Sequence, residues 1–476
     1  MVIRAIQQDK MASPNTIQPA KLLSQNSYIS PKSLHIKELF FQVPLDHSQP
    51  HGKTITLFAH CVTKRDPNAN DQSSDTTPKR YLVYLQGGPG FGNGSPQDHP
   101  LTTTALDKGY QLLLLDHRGT GLSTPVSARM LEELGDVDSQ VEYLKLMRQD
   151  NTVRDCEAVR KCLTDGWPDH LKTWAIHGQS YGGWVSFSYL SMHPEGLKEV
   201  FLTGGLPPVG VHIDDVYKRT FSKAIERNKV YFTKFPRDQV ALKQIVKHIE
   251  ENDGKLSLPA GGILTTPRLM NLGYSLGFHG GVDSVHSIIL SLKTSLDQFG
   301  FLSRACLSSL EAAMSFDSNI IYAVLHEAIY CDGPIASSWS AQRVGSQMTG
   351  YWWLREDRAK QHPDEPLYFS GEHVFPFFFD TYDELRPLKE VADKLARTDN
   401  WPRLYDEEKL RNNEVPIYAA SYIEDFYVSH ALASATAKMV KNVKIYESNI
   451  LYHDAIRTKT DQVLPRLFDL RDDVID

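Results

Sequence analysis

The sequence predicts an α/β fold on a mostly parallel sheet, with a mainly helical insertion late in the chain. Three observations predict it. Short apolar runs of the kind buried on both faces, 80–86 (RYLVYLQ), 111–116 (QLLLLD), 173–177 (TWAIH) and 199–203 (EVFLT), alternate with helical stretches. That rhythm lapses after Pro207-Pro208, and strand-like runs return only at 415–422 (VPIYAASY) and 442–446 (NVKIY). Glycine-rich turns directly follow two of the runs, QGGPG at 86–90 and GQSYGG at 178–183.

Taken in order, residues 1–33 are polar and read as a flexible lead-in. Runs 35–43 (HIKELFFQV) and 54–62 (TITLFAHCV), joined by a turn rich in Pro, Asp and Gly, suit an antiparallel pair. The polar stretch 64–79 (KRDPNANDQSSDTTPK) reads as a disordered insert. Thr152 is a good N-cap for a helix reaching Leu163, with Val153, Cys156, Val159 and Leu163 as its apolar stripe. A second helix follows Tyr181, and long helical patterns occupy 214–235, 237–252 and 314–328, with a last one from about residue 462. The division predicted is an extension (1–33), a first core part (34–206), a helical cap (207–400) and a second core part (401–476).

Composition excludes several functions. Of 476 residues 41% are hydrophobic and 23% charged, an ordinary globular balance. Lys and Arg number 51 against 58 Asp and Glu, interleaved to a net −7, so there is no basic stripe for nucleic acid. Cys61, Cys156, Cys162, Cys306 and Cys331 make no CxxC pair and no zinc spacing, which suits free thiols in a reducing compartment. No run approaches the length of a membrane span, and the first residues lack a signal-peptide apolar core, so a cytoplasmic chain without a membrane partner is expected.

The chemistry is concentrated in few places. Gly178-Gln179-Ser180-Tyr181-Gly182 is a G-x-S-x-G turn between a strand and an apolar helix, which lifts a serine hydroxyl above the strand ends. Side chains at the two flanking glycines would clash with strand and helix. In Gln86-Gly87-Gly88-Pro89-Gly90, small residues free main-chain N–H groups to face a carbonyl oxygen, and Gly88 with Tyr181 are the expected oxyanion donors. A serine of this type needs a base oriented by a carboxylate, in the chain order Ser, Asp or Glu, His. His453, after the run 442–446, is the expected base, and His430, inside a helical pattern, is its rival. Asp425 is preferred as the acid, with Glu424 the alternative. Arg118, in DHRGTG at 116–121, reads as a loop brace rather than a substrate clamp.

With these residues in place, the sequence resembles the larger proline iminopeptidases, serine peptidases of the α/β-hydrolase fold. The resemblance is carried by QGGPG (86–90), DHRGTGLSTP (116–125), VRDCEAVR (153–160), GQSYGG (178–183), LHEAIY (325–330), GEHVFPFFF (371–379) and EDFYV (424–428), and runs from about residue 36 to the C-terminus. It implies release of an N-terminal proline from a peptide or similar small-molecule substrate with a free amine, without metal or other cofactor. It also implies that Glu327 and Glu372 bind the protonated amine, and that Phe375, Phe377, Phe378 and Phe379 contribute to a ring pocket. Two departures stand out: Gln86 where the family has His, and Phe426 where it has Met. An esterase or amidase of a small metabolite is the alternative activity, and a silent binding protein of the same fold the alternative class.

Overall fold

The computed structural model describes residues 17–65, 78–356 and 365–473. Its centre is a nine-stranded sheet in the order β1-β2-β3-β5-β4-β6-β7-β10-β11. The strands are β1 (Lys21–Ser30), β2 (Leu34–Pro44), β3 (Thr54–Lys64), β4 (Tyr81–Leu85), β5 (Gln111–Leu115), β6 (Trp174–Gln179), β7 (Leu197–Thr203), β10 (Ile417–Tyr422) and β11 (Val443–Ser448). A separate two-stranded ribbon pairs β8 (Leu256–Ser257) with β9 (Ile263–Leu264). β1, β2 and β3 are antiparallel and β3 meets β5 antiparallel, whereas all pairs from β5 across to β11 are parallel.

The apolar runs are strands because both faces of the parallel part are covered. Val83, Leu85, Leu113, Leu115, Ile176 and Leu202 enter one apolar cluster with the helices Gln149–Leu163 and Tyr181–Met192. Their alternates Leu82, Tyr84, Leu112, Leu114, Ala175 and Phe201 enter a second cluster with Val463, Leu464, Leu467 and Phe468 of the helix Thr460–Asp472. From β4 the chain steps to β5 on one side and then returns across β4 to β6 on the other. Loops leaving the carboxyl ends of β4 and β6 therefore diverge, and the crevice between them is where such sheets bind ligands. QGGPG follows β4 and Ser180 follows β6.

Between β7 and β10 the described residues form helices, loops and the β8–β9 ribbon. Phe221, Tyr351, Phe369 and Phe378 of this stretch belong to the same apolar cluster as Val83, so it is docked on the sheet domain through a shared core. Among the described residues no helix is long and apolar enough to cross a membrane.

Three sequence expectations need correction. The flexible lead-in does not hold for its later part, because β1 pairs with β2 from Lys21↔Gln42 to Ser30↔Leu34. Its side chains are almost all exposed, so main-chain hydrogen bonds rather than burial hold it, and no apolar pattern announces it. The helix expected from Thr152 starts at Gln149, and Thr152 is buried within it. The stretch 314–328 is helical only over Ile320–Leu325, followed by a single turn at Ala328–Tyr330. Residues 1–16 of the lead-in and 66–77 of the polar insert lie outside the described residues.

Candidate active site

Ser180 stands between the end of β6 and the helix Tyr181–Met192 with φ 53° and ψ −124°, a main-chain conformation costly for a residue with a side chain. The flanking glycines have the expected cause. A Cβ on Gly178 would lie 2.5 Å from Gly182 O, and one on Gly182 only 2.0 Å from Leu85 O at the end of β4. Because the opposing atom is backbone and cannot swing aside, Gly182→Ala is expected to lower the thermal unfolding midpoint by several degrees. Differential scanning fluorimetry measures this, and an unchanged midpoint would show that the turn is slack.

The QGGPG loop lies against the serine, since a Cβ on Gly87 would fall 3.1 Å from Ser180 Cβ. Gln86 holds this loop. Its Oε1 accepts from Gly87 N (3.0 Å), Arg457 Nη2 (3.0 Å) and Tyr84 Oη (3.2 Å), while its Nε2 donates to Gly92 O (3.1 Å). Gly88 follows with φ 130°, a value that favours glycine. Tyr181 is the first residue of the helix whose N-terminal N–H groups favour negative charge.

Asp425 and His453 meet beside the serine. His453 Nδ1 is 2.8 Å from Asp425 Oδ2, while Asp425 Oδ1 accepts the N–H groups of Tyr427 (2.8 Å) and Val428 (2.9 Å). The pair sits over the end of β7: a Cβ on Gly204 would be 3.1 Å from His453 Nδ1 and 3.3 Å from Asp425 Oδ2. Thr203, one residue earlier, accepts the Ser180 N–H at 3.1 Å. Burial disfavours a charged His453, but the Asp425 charge and hydrogen bond, aided by Glu372, outweigh it and raise its pKa above the ordinary value. The alternatives are placed elsewhere. Glu424 pairs with Lys223 Nζ at 2.8 Å, and His430 pairs with Glu447 at 2.8 Å.

The two glutamates differ in surroundings. Glu327 is buried, its Oε1 accepting from Ala341 N (2.8 Å) and its Oε2 from Ser340 N (3.2 Å). Glu372 is partly exposed and accepts from Tyr322 Oη at 3.3 Å, within the field of Asp425 and His453. Burial raises each carboxyl to about 7; for Glu327 main-chain hydrogen bonds oppose the rise, and for Glu372 His453 opposes it while Asp425 adds to it. The nearby rings are tyrosines that sequence reading missed. Tyr217, Tyr274, Tyr322, Tyr330 and Tyr427 all have phenol pKa values raised by burial and further by Glu372. Tyr217 Oη is buried without a hydrogen-bond partner among the described residues. The phenylalanines of GEHVFPFFF pack within the helical stretch: Phe375 and Phe377 on Trp353, Phe378 on Phe316 and Tyr382, Phe379 on Trp339.

Arg118 braces loops. Its guanidinium makes two 2.7 Å bonds to Asp155 and donates to Leu45 O and Leu146 O, fully buried. All five cysteines are free.

A serine on a strand-to-helix turn, beside an Asp-His pair at the carboxyl ends of a parallel sheet, defines an α/β hydrolase, and the alpha/beta hydrolase fold family matches residues 81–241. Proline iminopeptidase aneH of Aspergillus aculeatus is 40% identical over 469 residues, covering 98% of this chain and 100% of that one. The proline iminopeptidase of Aeromonas sobria is 37% identical over 443 residues, 92% of this chain and 97% of its own. One from Neisseria meningitidis is 28% identical over 127 residues, 26% of this chain and 32% of its own. The chain is a hydrolase on the α/β scaffold and belongs to the proline iminopeptidase family.

Proposed function

We propose that this chain is a serine exopeptidase that releases N-terminal proline, or a similarly small residue, from peptides through an acyl-enzyme. The observation that carries the reading is the Asp425-His453 pair, 2.8 Å apart and beside the strained Ser180, with the Glu372 carboxyl in its field. Ser180 Oγ attacks the carbonyl of the N-terminal residue, and His453 Nε2 takes its proton while Nδ1–H stays on Asp425. Gly88 N–H and Tyr181 N–H hold the oxyanion. Collapse breaks the peptide bond, His453 protonates the leaving amine, and water then cleaves the ester by the same proton relay. Full-length relatives that carry the name proline iminopeptidase support the reading. The free thiols suit a reducing, cytoplasmic setting.

Glu372 is the direct ligand of the substrate ammonium in this proposal. Glu327, whose oxygens already accept main-chain donors, adds its charge to the field felt at Tyr217 and Tyr330. A carboxylate at a fixed distance from the serine selects the first residue of a peptide and no other. A panel of Pro-, Ala- and N-acetyl-Pro-naphthylamides beside short aryl esters tests this. Cleavage of the free-amine proline substrate with rejection of its acetylated form is expected; preference for aryl esters and indifference to acetylation would replace the peptidase with an esterase.

Glu372→Gln is expected to raise KM for the proline substrate at least tenfold and to spare aryl esters. The wild-type pH profile carries the same signature. Glu372 becomes negative only as pH rises through about 7, so capture of the cation strengthens over that range. His453, with its own raised pKa, must also lose its proton to act as base. The acid limb of kcat/KM should therefore involve two deprotonations in the wild type and one in Glu372→Gln.

A further inference from the structure

His453 is flanked by Tyr452 and Asp454, and each is gripped by a residue that the acyl-transfer steps do not use. The His279 main-chain N–H donates to Asp454 Oδ1 at 3.0 Å, and its ring Nδ1 lies 2.6 Å from the same oxygen. Thr458 Oγ1, 3.0 Å from that Nδ1, closes the group. The contact is largely enclosed, with the two side chains only 16% and 12% exposed. Arg227, on the helix Ile213–Lys234, stacks its guanidinium over the Tyr452 ring with Cζ 4.5 Å from the ring centre, and Nη1 reaches Tyr452 Oη at 3.5 Å. Arg227 Nε donates to Leu276 O at 2.9 Å, which ties it to the segment that carries His279. The His279 ring meets the Tyr452 ring edge-on, centroids 4.9 Å apart. Tyr427 meets the His453 ring edge-on, centroids 4.7 Å apart, and donates its hydroxyl to Tyr274 O at 2.5 Å. The contacts that His279 and Arg227 make with Asp454 and Tyr452, and the Tyr427 bond to Tyr274 O, reach from the His453 or Asp425 loop into residues 227–279 of the helical stretch.

We propose that His279 and Arg227 are positioning residues for the reaction, fixing the His453 loop through Asp454 and Tyr452, so that the helical stretch sets the geometry of the base as well as facing the substrate. The proposal rests on the serine-peptidase reading above. The physical reason is reach. The imidazole must serve Asp425 with one nitrogen and Ser180 with the other, and a displacement of about 1 Å in such an arrangement costs about 100-fold in rate. Its loop leaves the sheet after β11; local hydrogen bonds hold its main chain, and the contacts that fix the side chains of Tyr452 and Asp454 come from the helical stretch.

The test uses the full chain with His279→Ala, His279→Asn, Arg227→Met and the milder Asp454→Asn. Two readouts are taken: steady-state cleavage of proline naphthylamide, and the rate at which a fluorophosphonate labels Ser180. Expected are a fall in kcat of at least tenfold for His279→Ala and Arg227→Met, KM within about twofold, and parallel slowing of labelling. His279→Asn, whose side-chain N–H can still meet Asp454, should recover most of the rate, and Asp454→Asn should lose kcat severalfold even if the harsher variants fold poorly. A raised KM with unchanged kcat would overturn the proposal, as would unchanged kcat with only a lower thermal midpoint, or His279→Asn no better than His279→Ala. A wild-type chain that neither cleaves nor labels would overturn the peptidase reading along with it; an active wild type with indifferent variants overturns the positioning role alone.

Discussion

Replacing Ser180 with alanine is expected to reduce hydrolysis of proline naphthylamide by on the order of 10⁴-fold or more, to the level that binding and oxyanion contacts sustain without a nucleophile. The fold should not suffer. Alanine inherits the same strained backbone at φ 53°, so its thermal midpoint should match that of the wild type. Ser180→Gly separates the two roles further. Glycine adopts that conformation without strain, and the relief is about 1–3 kcal/mol, so this variant should be inactive and more stable than the wild type. Steady-state rates, fluorophosphonate labelling and thermal scans of the three proteins make the comparison. Undiminished cleavage by Ser180→Ala would remove this residue from the mechanism.

What was legible in the sequence follows from what burial and backbone contact impose. The run QLLLL at 111–115 reads as a strand because β5 is covered on both faces, leaving no polar alternation to confuse it with a surface element. The serine turn is legible because Gly182 abuts the carbonyl of Leu85, a contact that only glycine tolerates. β1 was not, since KLLSQNSYIS is held by pairing with β2 and exposes nearly every side chain. The start of the helix at Gln149 was hidden for a different reason: Arg148 before it turns its guanidinium to Cys331 O and Pro402 O, partners far away in sequence. Distance in sequence also hid the tyrosines around Glu372, which come from separate segments, while the nearby phenylalanines stand in one continuous run and pack on Trp353, Phe316, Tyr382 and Trp339. Glu327 and Glu372 stand out only through the family resemblance, and their different hydrogen-bond surroundings are not legible in it.

Asp425→Asn is expected to cost about 10⁴-fold in kcat, against a change within about threefold for Glu424→Gln. The asymmetry follows from the hydrogen bonds. Asp425 accepts on both oxygens, from Tyr427 N and Val428 N on one and from His453 Nδ1 on the other. An asparagine cannot match this set. With its NH₂ toward His453, the ring must accept at Nδ1 and carry its proton on Nε2, where it can no longer take one from Ser180. With its oxygen toward His453, the NH₂ faces two main-chain donors and both go unmet, at about 1–3 kcal/mol for each buried group. The acid limb of the pH profile should also move. In the wild type the Asp425 charge overrides the effect of burial and raises the His453 pKa; without it burial prevails, so the residual activity of Asp425→Asn should persist to lower pH than that of the wild type. Glu424 loses only a half-exposed pair with Lys223, the side chains 39% and 23% exposed, of a kind worth about 0.2–1 kcal/mol. Rates and pH profiles of the two variants decide between the adjacent carboxylates, and a deep loss in Glu424→Gln beside a mild one in Asp425→Asn would move the role of the acid by one residue.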